Sequence, residues 1–303
     1  MAVPSVSHRL ALDSVARLIW NEPAVTTPVG SFARAVFVAG VCLTTGTGIA
    51  LWAVPGRTAD YWAWTIKAPL TAAFFGAGYL GAAFALSLAV RTREWRRARI
   101  VAVLAFALTS LALLDTLRNL APFAFGEGGV PELVAWIWLA VYVALPPLVL
   151  TAFVLQERAG GAREYGDELQ ALASSRVVLG AIGALLAAVG VGLLADWGWL
   201  VTRWPWPLPP LPATVLGAWF CTYATGLLWF AVRERDWSRS RIGVAAGAIA
   251  SALVLITAIR LRDDFDGSAA TALYLTGVVA ALLAVTAVGV IEEQRMRRRD
   301  RAA

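Results

Sequence analysis

The sequence has 303 residues, of which 59% are hydrophobic and 15% are charged. Charged residues make up about a quarter of an ordinary soluble domain, so this composition excludes a soluble globular protein and a disordered one. It predicts an all-α integral membrane protein that crosses the bilayer several times. The net charge is +6, but the basic residues lie in short segments between apolar runs. We therefore expect contact with a lipid bilayer and none with nucleic acid.

Eight apolar runs are long enough to cross the roughly 30 Å hydrocarbon core of a bilayer as helices. They lack the alternation of polar and apolar residues that is typical of membrane barrel strands. We predict transmembrane helices at about 35–54, 68–90, 100–117, 133–155, 177–195, 211–232, 242–259 and 269–291.

Basic residues are distributed unevenly between the two ends of these helices. The segment before the first helix, the loops 91–99, 156–176 and 233–241, and the C-terminal tail hold 20 of the 26. The positive-inside rule places this end, with both termini, in the cytoplasm. Arginine greatly outnumbers lysine, which is typical of a high-GC bacterial coding sequence. We therefore predict a bacterial inner-membrane protein with anionic lipid headgroups at its cytoplasmic face.

The two halves of the chain resemble each other at an offset of 142 residues. Segment 89–100 shares the pattern A-V-R-x-R-(acid)-W-x-R-x-R-I with segment 231–242, and Trp62 pairs with Trp204. The second copy is shorter by about six residues in its last outer loop. Each copy holds four spans, an even number, so we predict two four-helix repeats that enter the membrane in the same direction.

The chain divides accordingly into five segments. Residues 1–32 form a cytoplasmic segment that could lie on the membrane surface as an amphipathic helix. The segments that follow are repeat A at 33–157, a cytoplasmic linker at 158–175, repeat B at 176–293 and a basic cytoplasmic tail at 294–303.

Tryptophans gather at the predicted outer boundary in both repeats. Trp62 and Trp64 precede the second span, and Trp204 and Trp206 precede the sixth. Two interpretations are open. The tryptophans form two aromatic platforms around an outward-facing binding mouth, or they anchor the protein at headgroup level. Nine of the 14 tryptophans fall near this boundary, which favours the anchoring belt.

Three charged residues are candidates for a binding site. Arg118 and Arg260 end the third span of each repeat on the outer side, against the bias of the other arginines. They could bind an anionic headgroup or substrate, or each could simply reach the outer headgroups. Asp115 lies three residues before Arg118, a spacing that lets the two pair on one helix face.

The sequence contains little that indicates a metal site or a cofactor. Asp263, Asp264 and Asp266 lie in one outer loop, but the complete calcium-loop pattern is absent. The arrangement of four plus four helices resembles that of haem-synthesising membrane oxidases, which hold haem with intramembrane histidines. The only histidine here is His8. We therefore predict no metal and no cofactor.

Two motifs concern helix shape and packing. Pro146 and Pro147 in the fourth span predict a kink with freed backbone carbonyls, which can line a cavity. The G-x-x-x-G pattern of Gly243 and Gly247 predicts close packing of the seventh span.

The stretch 62–77, with its W-x-W, P-L-T-A and G-A motifs, resembles multi-pass membrane proteins of high-GC bacteria. That resemblance implies a membrane protein and no particular activity. We predict that the protein binds or carries a small amphiphile or lipid at the repeat interface. A membrane scaffold or accessory subunit is the alternative. A membrane enzyme comes third, because no acid–base pair can be named beyond Asp115.

Overall fold

The computed structural model describes residues 27–160, 169–234 and 236–302. Within this part of the chain the protein is all-α, with eight helices long and apolar enough to span a membrane. The predicted fold class and the number of spans are thereby confirmed. The predicted surface helix before residue 27 and the centre of the linker 158–175 lie outside the described residues. The spanning helices are α1 Ser31–Ala53, α2 Pro69–Arg91, α3 Trp95–Arg118, α4 Gly129–Arg158, α5 Ala173–Leu194, α6 Pro210–Val232, α7 Trp237–Arg260 and α8 Ala269–Ala302.

Several helices extend beyond the apolar runs that predict them. α3 and α7 each begin five residues earlier than predicted, and α8 continues to Ala302 through the predicted basic tail. The hydropathy of these segments falls where arginines begin, but neither proline nor glycine interrupts the helix there. α4 also continues through Pro146 and Pro147. Because proline has no N–H, the carbonyl groups of Tyr142 and Val143 lose their helical partners.

Two pairs of neighbouring helices are in close contact, α1 with α2 and α5 with α6. A Cβ atom at Gly76 of α2 would lie 2.5 Å from the backbone nitrogen of Trp52. A Cβ atom at Gly217 of α6 would lie 2.7 Å from the carbonyl oxygen of Gly190 on α5. Only glycine fits at these two positions, so the helix backbones approach closely.

The remaining helices complete a bundle in which the two halves of the chain touch. α3 packs on α4, and α7 packs on α8. The halves meet where α2 contacts α7, where α3 contacts α6, and where α3 contacts α7. One extended core cluster contains residues of α1 to α4 and of α6. The two halves therefore form one packed body within the described residues.

The basic end of the bundle is the end that holds the loop 92–94, the turn after α4, and Glu234 and Asp236 before α7. Arg99 of α3 contacts Glu157 at 3.1 Å and Glu234 at 3.8 Å, and so connects the two halves. Arg239 pairs with Glu234 at 3.1 Å. Burial raises the pKa of Glu234 even though both arginines favour its charged form. Some of the arginines at this end therefore form ion pairs within the protein.

Equivalent backbone contacts recur in the two halves. The backbone nitrogen of Trp95 donates to the carbonyl of Thr27 at 2.9 Å, and that of Trp237 donates to the carbonyl of Leu169 at 3.2 Å. Each residue of the second pair lies 142 positions after its counterpart. Such pairing is what two copies of one folding unit would produce. The duplication itself stays a prediction.

A second pair of contacts involves the ends of α4 and α8. The backbone nitrogen of Gly30 donates to Oε1 of Gln156 at 2.5 Å. The backbone nitrogen of Leu172 donates to Oε1 of Glu292 at 2.8 Å. In each half, a side chain of the last helix therefore accepts a hydrogen bond from the backbone just before the first helix. A neutral amide in one half stands where the other has a carboxyl group.

Candidate functional site

A cavity of about 190 Å³ lies among α1, α2, α3 and α4, and α6 and α7 close one side of it. No Asp, Glu, Lys, Arg or His is found among its lining residues within the described chain. A cavity of roughly 150 Å³ with apolar walls stays dry and binds benzene in another protein. This cavity therefore has room for a ring or for part of an acyl chain.

Small residues create this space. On α7, a Cβ atom at Gly247 would lie 4.0 Å from its nearest neighbour, a side-chain carbon of Val285, and one at Gly243 would lie 3.5 Å from Ile100. Both glycines line the cavity. A Cβ atom at either glycine would be in ordinary van der Waals contact, so the predicted close packing of the seventh span does not occur at these two glycines. Close approach occurs instead at Gly81 of α2, where a Cβ atom would lie 2.8 Å from that of Ala250.

The cavity opens between α1 and α4. Leu43 of α1 and Ile137 of α4 line it, and their side chains are also 37% and 47% exposed. In a membrane, exposed apolar side chains in the middle of spanning helices face lipid tails. If the eight helices span the bilayer, this side of the cavity faces the lipid tails.

A pair of tyrosines supplies the most distinct polar group of the cavity. The hydroxyl oxygens of Tyr79 on α2 and Tyr142 on α4 lie 2.6 Å apart, and both side chains are buried. Both residues line the cavity. Each hydroxyl group carries one hydrogen, and their mutual bond uses only one of the two. The pair can therefore still donate one hydrogen bond to a guest.

The first aromatic cluster, formed by Trp62, Trp64, Phe123 and Trp138, lies between the cavity and the tryptophan end, which is the end opposite to the basic end. The ring of Trp138 lies 5.5 Å from that of Trp62 and 5.0 Å from that of Trp64. Trp62 and Trp64 are only 5% and 3% exposed. Edge-on packing of this kind stabilises an aromatic core. The prediction of a headgroup belt is therefore wrong for these tryptophans.

The second aromatic cluster contains Trp204, Trp206, Phe265 and Tyr274. The ring of Trp206 lies 5.2 Å from that of Tyr274 and 5.6 Å from that of Phe265. Its Nε1 donates to the hydroxyl of Thr71 on α2 at 2.7 Å, which joins the two halves. Trp204 and Trp206 are also buried, so both predicted W-x-W motifs form core and not membrane anchors.

Three other tryptophans of this end agree with the predicted belt. Trp136, Trp197 and Trp199 are all exposed on the surface of the bundle. Their positions at the ends of spanning helices suit the boundary between headgroups and water.

A second, smaller pocket of about 110 Å³ lies at the tryptophan end. Thr65 and Glu127 contribute polar groups to it, and Trp62 and Trp64 contribute rings. Trp62 lines this pocket and the large cavity alike. Its side chain therefore forms part of the partition between the two spaces.

Asp115 is buried near the end of α3 and does not line the cavity. Its Oδ1 accepts a hydrogen bond from Nδ2 of Asn119 at 2.8 Å, and Thr214 of α6 lies beside the carboxyl group. Among the described residues the side chains of Asp115 and Arg118 form no ion pair within 4 Å, but the exposed Arg118 is close enough for its charge to favour the carboxylate. The partner on the helix face is thus Asn119, one position further along than the predicted partner.

Arg260 connects α7 with α1. Its guanidinium group lies 4.4 Å from the ring centre of Trp52 and donates to the Trp52 carbonyl. Nε1 of Trp52 in turn donates to Thr257 at 2.9 Å. Arg260 contacts α1, Arg118 is exposed at the end of α3, and neither residue lines the cavity. The structure therefore does not bring the two predicted anion-binding arginines together.

Two of the three acids in the loop before α8 have polar neighbours, whereas Oδ2 of Asp264 is buried without a hydrogen-bond partner among the described residues. Asp266 accepts hydrogen bonds from Ser268 at 2.9 Å and Thr271 at 2.7 Å, and these bonds lower its pKa. Asp263 lies 3.7 Å from Arg262. Within the described residues, no group of three or more His, Cys, Asp or Glu side chains could hold a metal ion.

Comparison of the chain with protein families, with curated proteins and with solved structures gave no match. The functional argument therefore depends on the geometry of the cavity alone.

Sequence reasoning missed the tyrosine pair. Tyr79 and Tyr142 lie 63 residues apart on different helices, and a lone tyrosine in an apolar span carries no motif. The sequence nevertheless held a signal. Tyr79 corresponds to Cys221 at the offset of 142 residues. Tyr142 corresponds to Val278 at an offset of 136, because the last outer loop of the second half is about six residues shorter. A comparison of the two halves for unmatched polar residues would have pointed to this pair.

Proposed function

We propose that this protein binds or carries a small amphiphile, or one chain of a lipid, in the cavity among α1, α2, α3 and α4. The observation that carries the proposal is an apolar cavity between spanning helices, whose lining includes exposed residues of α1 and α4. The site differs from the one that the sequence favours, which is the repeat interface. Most of its walls come from the first half, and α6 and α7 of the second half complete them.

The chemistry of the walls supports an apolar guest. A dry cavity of this kind gains little from water, because a buried water needs two to four polar partners. An apolar group that enters it recovers van der Waals contacts that an empty cavity lacks. Leu43 and Ile137 both lie within regular helix. The two backbone carbonyls that the prolines of α4 leave without helical partners lie further along that helix, at Tyr142 and Val143.

The variant Gly247→Leu tests the proposal. Its side chain has space to enter the cavity, since a Cβ atom there meets nothing closer than 4.0 Å. The control is Gly277→Leu on α8, where a Cβ atom meets nothing within 4 Å and which does not line the cavity. Both changes remove a glycine from a helix and add the same side chain, so they differ chiefly in the cavity.

The measurement is the amount of amphiphile that the full chain retains after purification in mild detergent, determined by mass spectrometry. We expect the wild-type protein and Gly277→Leu to retain a defined guest in near one-to-one amount, and Gly247→Leu to lose most of it. Equal retention by all three proteins would contradict the proposal, since the lipid would then be bound to the outer surface only.

We further propose that the basic end faces the cytoplasm of a bacterial inner membrane. Exposed arginines at this end support contact with anionic headgroups; among them are Arg91, Arg93, Arg158, Arg233 and Arg298. A reporter enzyme active only in the periplasm, fused after Ala303, should stay inactive, and one fused within the loop between α7 and α8 should be active. The reverse pattern would contradict this orientation.

The alternative function, a membrane scaffold, has no observation of its own. Leu273 and Leu283 of α8 are highly exposed, but exposed apolar residues on a spanning helix face lipid in any membrane protein.

A further inference from the structure

We infer that the cavity selects an uncharged amphiphile whose head carries a hydrogen-bond acceptor, of the kind found in a prenylated quinone or a polyprenol. The inference rests on the proposed function, because it names the class of guest for the same cavity. Four features of the site lead to it.

The first feature is the absence of charge. No ionisable side chain other than tyrosine and no histidine lines the cavity in the described part of the chain. Moving a carboxylate or an ammonium group from water into such surroundings is strongly unfavourable without a partner. The predicted anion-binding arginines, Arg118 and Arg260, both lie elsewhere. A fatty acid anion or a charged headgroup would therefore have to stay at the membrane surface.

The second feature is the hydroxyl pair of Tyr79 and Tyr142. Its single internal hydrogen bond is 2.6 Å long, and no other hydrogen bond of either hydroxyl is found within the described residues. One hydroxyl hydrogen is therefore available in a mostly apolar space, whose lining also includes Tyr223 and the indole ring of Trp62. A buried donor that finds no acceptor is unfavourable, so the pair favours a guest with a carbonyl, ether or hydroxyl oxygen.

The third feature is the ring content around that pair. The ring of Trp138 lies 4.3 Å from that of Tyr142, and the ring of Trp219 lies 5.0 Å from that of Tyr79. Trp138 and Trp219 also line the cavity. Flat aromatic walls suit a flat head, because offset and edge-on ring contacts are favourable. This favours the quinone ring over the alcohol of a polyprenol.

The fourth feature is the position of the opening. Leu43 and Ile137 mark an exit toward the lipid tails. A guest whose head lies at the tyrosine pair can therefore leave its apolar tail in the bilayer. The cavity need not contain the whole molecule, which agrees with a volume of about 190 Å³.

The experiment measures binding by the full chain in nanodiscs of phosphatidylcholine. Four probes share one short prenyl tail and differ in the head, which is a quinone, an alcohol, a plain hydrocarbon or a carboxylate at pH 8. We expect the quinone to bind about tenfold more tightly than the hydrocarbon, which is what one added buried hydrogen bond supplies. The alcohol should fall between them, and the carboxylate should bind most weakly.

The double variant Tyr79→Phe with Tyr142→Phe removes both hydroxyl groups and keeps both rings. It should bind the quinone no more tightly than the hydrocarbon, while its affinity for the hydrocarbon stays unchanged and so reports an intact cavity. The control Tyr274→Phe removes a buried hydroxyl without a partner from the second half and should leave all four affinities unchanged.

The outcomes separate the two proposals. If the hydrocarbon binds and Gly247→Leu abolishes that binding, but the quinone and the alcohol bind no more tightly, this inference is wrong and the proposed function stands. If no probe binds in the cavity, the proposed function fails with it. Tightest binding of the carboxylate, or an unchanged preference for the quinone in the double variant, would also overturn the inference.

Discussion

The first and second halves of this protein arrange four helices in a similar way, yet their interiors differ in side-chain size. Gly40 and Gly78 line the cavity of the first half. At an offset of 142 residues, the second half has Ile182 and Phe220. A half with larger residues at these positions has less room for a guest. The cavity is thus a property of a few side chains and not of the helix arrangement.

The polar groups differ in the same direction. The first half has the hydroxyl pair of Tyr79 and Tyr142, and the corresponding residues of the second half are Cys221 and Val278. The two W-x-W motifs also differ, because Nε1 of Trp206 has a hydrogen-bond partner and Nε1 of Trp64 is buried without one. The cavity and its hydroxyl pair therefore lie mainly in the first half, and α6 and α7 of the second half complete the walls.

The largest effect is expected where an aromatic residue closes the cavity. Trp62→Ala should destabilise the protein by about 3–5 kcal/mol, as expected for the truncation of a buried aromatic ring. It should also join the cavity to the smaller pocket at the tryptophan end. Trp204→Ala should cost similar stability in the second half without opening the cavity.

Thiol labelling separates these two variants. In a background without Cys42 and Cys221, the cavity residue Thr44 is replaced by cysteine and exposed to a membrane-impermeant maleimide from the tryptophan end. We expect rapid labelling with Trp62→Ala and slow labelling with Trp204→Ala. Equal labelling of both would show that the two halves do not differ at this partition.

A smaller effect is expected at the hydrogen bond between Trp206 and Thr71. Thr71→Val keeps the shape of the side chain but leaves the buried indole N–H without an acceptor, which should cost about 1–2 kcal/mol. The measurement is the unfolding temperature in detergent, with Thr71→Ser as a control that keeps the hydroxyl. If Thr71→Val were as stable as Thr71→Ser, the hydrogen bond between the halves would contribute nothing.

Much of the fold follows from the sequence, because apolar runs of this length can cross a membrane only as helices. The helix ends are less predictable. Trp95 and Trp237 begin their helices before the apolar runs begin, since pairing of arginines with acids lets the helix continue where hydropathy falls.

The site is much harder to predict than the helices. The G-x-x-x-G pattern gives Gly243 and Gly247 the role of close packing, because a pattern within one helix does not show which neighbour faces it. In the sequence, Trp62 and Trp64 look like membrane anchors. Their burial depends on contact with Trp138 of α4, which is distant in the chain. Contacts between distant segments decide these cases, and no local pattern in the chain encodes them.

The central claim is that the first half holds a guest in its cavity and the second half does not. Photolabelling tests it most directly, with a prenyl chain that carries a diazirine near its head, followed by peptide mapping of the labelled sites. We predict labels on cavity residues of the first half such as Thr44 and Thr109, with loss of these labels in Gly247→Leu. Equal labelling of the two halves that Gly247→Leu leaves unchanged would contradict the claim.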